Sequence, residues 1–184
     1  MSAQPPEGAI VCTEPGCERP VVRSAVFCRV HLAESMRREG KGVLFKDPEL
    51  SGIYAAVVHI MRPILDGLAP DLFEPQVPSS EIDIYALLHP DAGWQLAQFS
   101  LDVLGSFLAG ELGRMTLWPP TEVESTIVLR LRVAVPAPAA DTFIPLLRSA
   151  MEVLLREVAG PGASASLSVT LAEDPDGSWS EVPG

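Results

Sequence analysis

Apolar residues recur along this chain at two different spacings, and each spacing predicts a type of secondary structure. Steps of three and four residues, typical of amphipathic helices, predict helices that cover 53–68, 94–112 and 143–158. Alternation of apolar and polar residues, typical of half-buried strands, predicts strands at 81–88, 123–135 and 165–171. The second half of the chain therefore alternates helices with strands.

Residues with known end preferences set the limits of the predicted helices. Pro48 suits the first turn of the first helix, and Gly67 ends it. The second helix begins at Asp91 or Ala92 and closes before Gly113. For the third helix, we expect Asp141 or Thr142 to cap the amino end, and Gly160-Pro161-Gly162 to stop it.

A further short strand, Met115–Trp118, completes the predicted fold. After the leading helix the order becomes β-α-β-β-α-β, which predicts an α+β domain of the ferredoxin-like, split βαβ type, with an antiparallel sheet and helices on one face. If the short strand is absent, a three-stranded α/β sheet describes the domain better.

Charge divides the chain into two regions. Residues 1–46 hold seven basic and five acidic residues, whereas 47–184 hold six basic and nineteen acidic residues, within a total formal charge of −11. The three cysteines all lie in the first region. We therefore expect a small zinc module with its linker at 1–46, an acidic α+β domain at 47–174 and a flexible tail at 175–184.

Composition narrows the class of protein. With 47% hydrophobic and 20% charged residues the chain is expected to fold, and its negative charge argues against sequence-blind binding to nucleic acid or anionic lipid. No long apolar run and no leader pattern occur, so we expect a soluble cytoplasmic protein with no membrane contact. Abundant Ala and Pro with only two lysines are typical of high-GC bacterial coding.

One motif carries a specific chemical signal. Cys12, Cys17, Cys28 and His31 follow the spacing C-x4-C-x10-C-x2-H, which places four sulfur and imidazole ligands within twenty residues. Zinc prefers such ligands in tetrahedral geometry, and the Pro15-Gly16 turn suits a chelating loop. The sequence predicts one structural Zn²⁺ per chain, whose binding and the folding of 10–38 are the same event.

This motif resembles the short Cys3His zinc modules found beside diverse bacterial and phage domains. The resemblance covers about 20 of the 184 residues; it implies a metal but no particular task, because such modules stabilise folds, bind proteins or contact nucleic acids. Three alternatives are a chance cluster of reduced cysteines, a disulfide and a catalytic zinc. The odd cysteine count disfavours the disulfide, and four protein ligands leave no position for a reactive water.

A catalytic set is not evident in the sequence. The two histidines outside the motif are His59, within the first helix, and His89, at the end of a strand, and neither lies in a recognisable catalytic pattern. For His89 a plain turn is the simpler interpretation. Phosphate-binding and hydrolase motifs are also absent, so we expect no enzymatic activity.

Two other features suggest contacts. Arg130 and Arg132 project from one face of the long strand and could clamp an anion, although pairing with neighbouring acids such as Glu124 or Asp83 is the simpler interpretation. The helix at 94–112 is apolar nearly all round, which suggests packing against a second subunit or a partner.

Together these features predict a non-catalytic, zinc-stabilised interaction or adaptor protein that self-associates or docks on a larger bacterial assembly. The basic residues of the module would select an acidic protein partner through their charge; they are Arg19, Arg23, Arg29, Arg37 and Arg38. A regulator that contacts nucleic acid through the same module is the alternative, although its net charge of only +2 weakens that hypothesis. A small-molecule sensor rests on fold analogy alone.

Overall fold

A computed structural model describes residues 11–21, 25–40, 46–160 and 166–173. This part of the chain contains four α-helices and five β-strands in an α+β arrangement. The helices are α1 (Arg29–Arg38), α2 (Pro48–Asp66), α3 (Trp94–Leu112) and α4 (Ala140–Ala159). The strands are β1 (Ser79–Leu88), β2 (Met115–Leu117), β3 (Thr121–Val123), β4 (Thr126–Pro136) and β5 (Leu167–Leu171).

The helix ends follow the sequence signals with two exceptions, the starts of α3 and α4. Helix α3 begins at Trp94, after Gly93 at φ +66°, and not at Asp91 or Ala92. Asp47 caps α2 by accepting a hydrogen bond of 2.8 Å from the backbone N–H of Glu49, and Gly113 closes α3 at φ +107°. The cap predicted for α4 is wrong: the helix begins at Ala140 after a 3₁₀ turn, and no side chain caps it. Asp141 instead lies in the first turn of α4, where its negative charge interacts favourably with the positive end of the helix dipole.

All strand pairs are antiparallel, and the main strand order is β2-β4-β1-β5. The strand predicted at 123–135 is confirmed over 126–135, which lies in β4, but its start is wrong: residue 123 ends β3, which pairs with the start of β4 to form a hairpin. Glu124 and Ser125 form the two-residue turn, both at positive φ. Asn-Gly or Asp-Gly is the usual sequence for such a turn, so Glu-Ser gave no signal. The predicted start of the last strand at residue 165 lies outside the described residues.

The hydrophobic core lies between one face of the sheet and the helices. In β1 the buried apolar positions are Ile82, Ile84, Ala86 and Leu88, and they alternate with positions on the other face. Helix α3 packs on β4 and β2, whereas α4 packs on β5 and β1. The close approach of α3 depends on Gly105, where an added Cβ would lie 2.5 Å from Met115 Sδ and 2.7 Å from a methyl of Leu131.

Two further layers cover the helices. Helix α2 packs across both α3 and α4, and α1 packs on α2. Because the sheet contacts one side of α3 and α2 contacts another, the all-round apolar character of α3 is largely explained within the chain. None of the described helices is both long and apolar enough to cross a bilayer.

Candidate metal centre

A short antiparallel contact brings the first two cysteines together. Val11 and Pro20 form an isolated bridge, and the backbone N–H of Cys12 donates to the carbonyl of Arg19 at 3.0 Å. Between them Gly16, at φ +80°, allows the chain to turn so that the Cys17 N–H donates to the Glu14 carbonyl. The predicted turn at Pro15-Gly16 therefore presents Cys17 back toward Cys12.

The other two candidate ligands lie at the start of α1. Cys28 is the residue immediately before the helix, and its carbonyl accepts a hydrogen bond of 2.8 Å from the Leu32 N–H. His31 lies three residues later, within the first turn, so its ring is on the same side as the Cys28 side chain. The helix thus fixes two ligands at a defined separation.

The four candidate ligand atoms converge on one point. The Sγ atoms of Cys12, Cys17 and Cys28 and a ring nitrogen of His31 all lie within 4.8 Å of one another. His31 Nδ1 lies 3.3 Å from Cys12 Sγ and 3.5 Å from Cys28 Sγ, and Cys17 Sγ lies 3.9 Å from Cys28 Sγ. Tetrahedral zinc requires about 3.8 Å between two sulfurs and about 3.5 Å between sulfur and nitrogen. The residues present fit a single four-coordinate metal ion.

The cysteines are reduced, and two of them are shielded from solvent. Cys12 and Cys28 are buried, Cys17 is half-buried, and none forms a disulfide. Burial raises the pKa of the Cys28 thiol to about 11, with the neighbouring Cys17 and Cys12 adding to the effect. Burial also acts to raise the pKa of Cys12, but hydrogen bonds from the Cys28 and Glu14 backbone, His31 and Cys17 outweigh it and hold that pKa near 7.

The candidate metal centre is attached to the helical layers through Arg29, the residue after Cys28. Arg29 is buried, and its guanidinium pairs with Glu49 of α2 and, at 3.0 Å from Nε, with Glu157 of α4. Its backbone packs closely on Gly52, where an added Cβ would lie 3.3 Å away. A small apolar contact of Leu32 and Ala33 with Ala55 extends this interface. The module is therefore docked on α2 and α4.

Glu157, which lies at this junction, has a raised pKa. Burial raises its pKa to about 7, attraction to Arg29 lowers it in part, and repulsion from Glu49 raises it again. The sequence contained a signal for this residue, because Glu157 stands among the inward-facing positions Leu154 and Val158 of α4. A charged residue on a buried stripe indicates a partner, and here that partner comes from the amino-terminal module.

The other predicted partner-binding arginines of the module are placed differently from one another. Arg19 is half-exposed and lies 3.4 Å from Glu49, and Arg38 pairs with Glu34 one turn away on α1. Arg37 is exposed at the end of α1. Arg23 lies outside the described residues. Arg29 is buried and paired with Glu49 and Glu157, so it does not lie on the module surface.

Arg130 and Arg132 lie on the sheet face opposite the helices. Arg132 is buried and makes a two-pronged contact with Asp83, at 2.7 Å from Nε and 3.0 Å from Nη2. Asp83, proposed from the sequence as a neighbouring acid, is the residue directly opposite on β1. The ring of Tyr85 lies 6.0 Å from the Arg130 guanidinium carbon. The pairing with Asp83 holds the Arg132 guanidinium in place.

The two remaining histidines, His59 and His89, lie in different settings. His89 is exposed in a turn closed by the Ala92 N–H and the His89 carbonyl, and its Nδ1 lies 3.6 Å from exposed Asp91. His59 is half-buried on α2. The plain-turn interpretation of His89 agrees with this geometry.

Comparisons of the chain with family models, with curated proteins and with solved structures find no match. Its function has to be argued from the arrangement of its own residues.

Proposed function

We propose that this protein is a non-catalytic adaptor whose amino-terminal module is held together by one structural Zn²⁺. The observation that carries the proposal is the convergence of three sulfurs and one imidazole nitrogen within 4.8 Å. A catalytic zinc keeps one position for water, whereas these four protein ligands complete a tetrahedron. Zinc is favoured over other ions because thiolate and imidazole are its preferred structural ligands.

The zinc would act on the fold by joining two separate segments. Cys12 and Cys17 belong to the turn region, whereas Cys28 and His31 begin α1. Bound metal would hold the turn against the helix, and the helix carries Arg29 into its pocket between α2 and α4. The expected result is one rigid surface that includes both the module and the helical layers.

We further propose that the acidic domain is ferredoxin-like. Four strands and two helices follow one another as β1-α3-β2-β4-α4-β5, with the short β3 inserted as a hairpin arm. The order β2-β4-β1-β5 places the first and third main strands in the centre, and both helices pack on one face. Those are the features that define a split βαβ arrangement.

The proposed partner of the module is a protein. Of the described module arginines only Arg19, Arg37 and Arg38 are accessible, and two of these three face glutamates. So few free positive charges support a protein partner over nucleic acid, because binding to nucleic acid grows with the number of phosphate contacts. The exposed side chains of Val11 and Val26 add apolar surface on the same module.

Native mass spectrometry of the protein purified from its own cells without chelator tests this proposal. We expect one zinc per chain and a retained protein subunit. The variant Cys28→Ser should lose both the zinc and the subunit, whereas His89→Ala, a change in an exposed turn, should keep both. A zinc-loaded chain that retains no protein would contradict the adaptor role, and a preparation without zinc would contradict the metal centre.

A further inference from the structure

We propose that Cys17 is a site of oxidation by peroxide, and that it then forms a disulfide with Cys28 and releases the metal. The inference rests on the proposed metal centre and adds a chemical class of reagent and a regulated state to it. Three observations carry it: the accessibility of Cys17, the nearness of Cys28, and the loop on which Cys17 stands.

Cys17 is the accessible cysteine of the four-ligand set. Cys12 and Cys28 are 5% and 0% exposed, whereas Cys17 is half-buried between exposed neighbours. An open groove of about 370 Å³ reaches it, and its wall includes Cys17, His31 and Val30. A small polar oxidant can therefore contact the Cys17 sulfur while the other two sulfurs remain covered.

The second thiolate is already within reach. Cys17 Sγ lies 3.9 Å from Cys28 Sγ, and a disulfide requires about 2.05 Å, so the sulfurs must approach by roughly 1.9 Å. Cys28 is fixed at the start of α1, but Cys17 stands on a turn next to Gly16 at φ +80°. The approach can come from the turn, without a change in the helix.

The reaction balances with peroxide as the sole oxidant. The Cys17 thiolate attacks one peroxide oxygen, the O–O bond breaks, and a sulfenic acid forms as hydroxide leaves. The Cys28 thiolate then attacks the Cys17 sulfur, the S–O bond breaks, and a second hydroxide leaves. Two thiolates are oxidised by two electrons in total, and one peroxide is reduced to two hydroxides, which take up protons from solvent.

The product can no longer hold the metal as before. A disulfide removes Cys17 and Cys28 from the ligand set, which leaves Cys12 and His31. Two ligands do not complete a tetrahedral zinc site. A thiol reductant such as dithiothreitol then reduces this disulfide by thiol–disulfide exchange and is itself oxidised to a disulfide, so both cysteines are restored and the metal can bind again.

The test uses the full-length, zinc-loaded protein with hydrogen peroxide as the probe. Released zinc is measured with a chromogenic chelator, and disulfides are located by peptide mass spectrometry without reduction. We expect about one zinc released per peroxide consumed, a Cys17–Cys28 linkage, and recovery of zinc binding after treatment with dithiothreitol. Methionine sulfoxide is not reversed by dithiothreitol, so recovery separates the proposed reaction from oxidation of Met36 or Met115.

The matched variant is Cys17→His, which keeps a ligand for zinc but removes the oxidised thiol. The peroxide concentration that releases zinc from this variant should be more than tenfold higher than the concentration that releases zinc from the unmodified protein. If this variant does not bind zinc, the location of the disulfide in the unmodified protein is by itself the test of the proposal.

Three results would each overturn the proposal: zinc release without a Cys17–Cys28 linkage, a linkage of Cys12 to Cys28, or zinc retained in excess peroxide. A protein that carries no zinc at the outset refutes the metal centre, whereas zinc-loaded protein that resists peroxide refutes only the oxidation.

Discussion

The amino-terminal module and the α+β domain of this chain are stabilised in different ways. In the domain, large side chains such as Phe143, Leu131 and Ile84 are fully buried between sheet and helices. Among residues 11–21 and 25–40 of the module, the buried apolar residues besides the cysteines are Leu32 and Ala33, and both contact Ala55 of α2. A segment this short buries little apolar surface of its own, and the proposed cross-link through metal would take the place of a core.

The difference also shows in how each region treats charge. The domain satisfies its buried Arg132 with a residue directly opposite on the next strand. The module places its buried Arg29 against Glu49, on the next helix along the chain, and against Glu157, near the end of the domain. Buried charges are costly unless they are paired, and the module therefore depends on the domain for the pairing.

The largest expected effect is the loss of a metal ligand. Cys28→Ser should abolish zinc binding, which contributes on the order of 10 kcal/mol in small zinc domains, and should unfold the module while the sheet persists. Hydrogen exchange checks this: the amides of Cys12 and Cys17 should lose protection, whereas those of β1 and β4 should keep it.

The control for that experiment is Val26→Ser, a change at an exposed side chain of the same module. It should leave zinc content and amide protection unchanged. Full protection of the Cys12 and Cys17 amides in Cys28→Ser would show that the module does not need metal to fold.

Next in size is a cavity in the domain. Phe143→Ala removes a fully buried ring from α4 and should lower the free energy of unfolding by about 3–5 kcal/mol, without changing zinc stoichiometry. Denaturant titration followed by circular dichroism gives the first quantity, and metal analysis gives the second. Val123→Ala, at an exposed position, should change stability by less than about 0.5 kcal/mol. Loss of zinc from Phe143→Ala would mean that the two regions are not separate.

The third prediction concerns the junction between the regions. Because burial raises the pKa of Glu157 to about 7 from a usual 4.5, the folded state binds a proton more tightly than the unfolded state. Charged Glu157 therefore costs stability, and this cost grows as pH rises from about 4.5 to about 7. Glu157→Gln keeps a hydrogen-bond acceptor for Arg29, whose charge stays paired with Glu49. The variant should be more stable than the unmodified protein by about 1–2 kcal/mol at pH 8, with the gain fading toward pH 4.5.

Urea denaturation of both proteins at several pH values measures that difference. Phe143→Ala introduces no change in a titrating group, and its deficit should show no rise between pH 4.5 and pH 8. A gain for Glu157→Gln that increases as the pH falls would reverse the expected sign and refute the account of the junction.

The smallest effect is expected on the module surface. Arg38→Ala breaks an exposed ion pair with Glu34, whose side chains are 68% and 46% exposed, and should cost no more than about 0.5 kcal/mol at low salt. In 0.5 M salt, where screening is strong, the difference from the neighbouring variant Arg37→Ala should vanish. A cost above about 1 kcal/mol, measured by thermal unfolding, would assign Arg38 a structural contact beyond this pair.

The sequence predicted what depends on local pattern. The periodicity of residues such as Leu101, Leu104 and Leu108 was sufficient for α3, and the α+β class followed from the order of elements. The four candidate ligands were found from spacing, because a turn and the first turn of a helix fix their separation. These features depend on residues close together in the sequence, so the sequence pattern was enough to predict them.

Features that depend on distant contacts were not predictable in this way. Arg29 belonged to a basic set that suggested a surface, yet packing on Gly52 and pairing with Glu157 place it in the interior. Similarly, the turn at Glu124-Ser125 lacks the residues that favour positive φ, and pairing along β4 imposes that conformation. In both cases tertiary packing outweighs the preference of the local sequence.

The pairing of Arg29 with Glu157 has a consequence for the order of events on the ribosome. Translation proceeds from the amino terminus, so all four candidate ligands are complete at His31, and Glu49 follows soon afterwards. Glu157 is made only after nearly the whole sheet has been synthesised. If the proposed metal centre forms on the nascent chain, metal capture precedes the pairing of Arg29 with Glu157, and α1 packs on α2 before it meets α4.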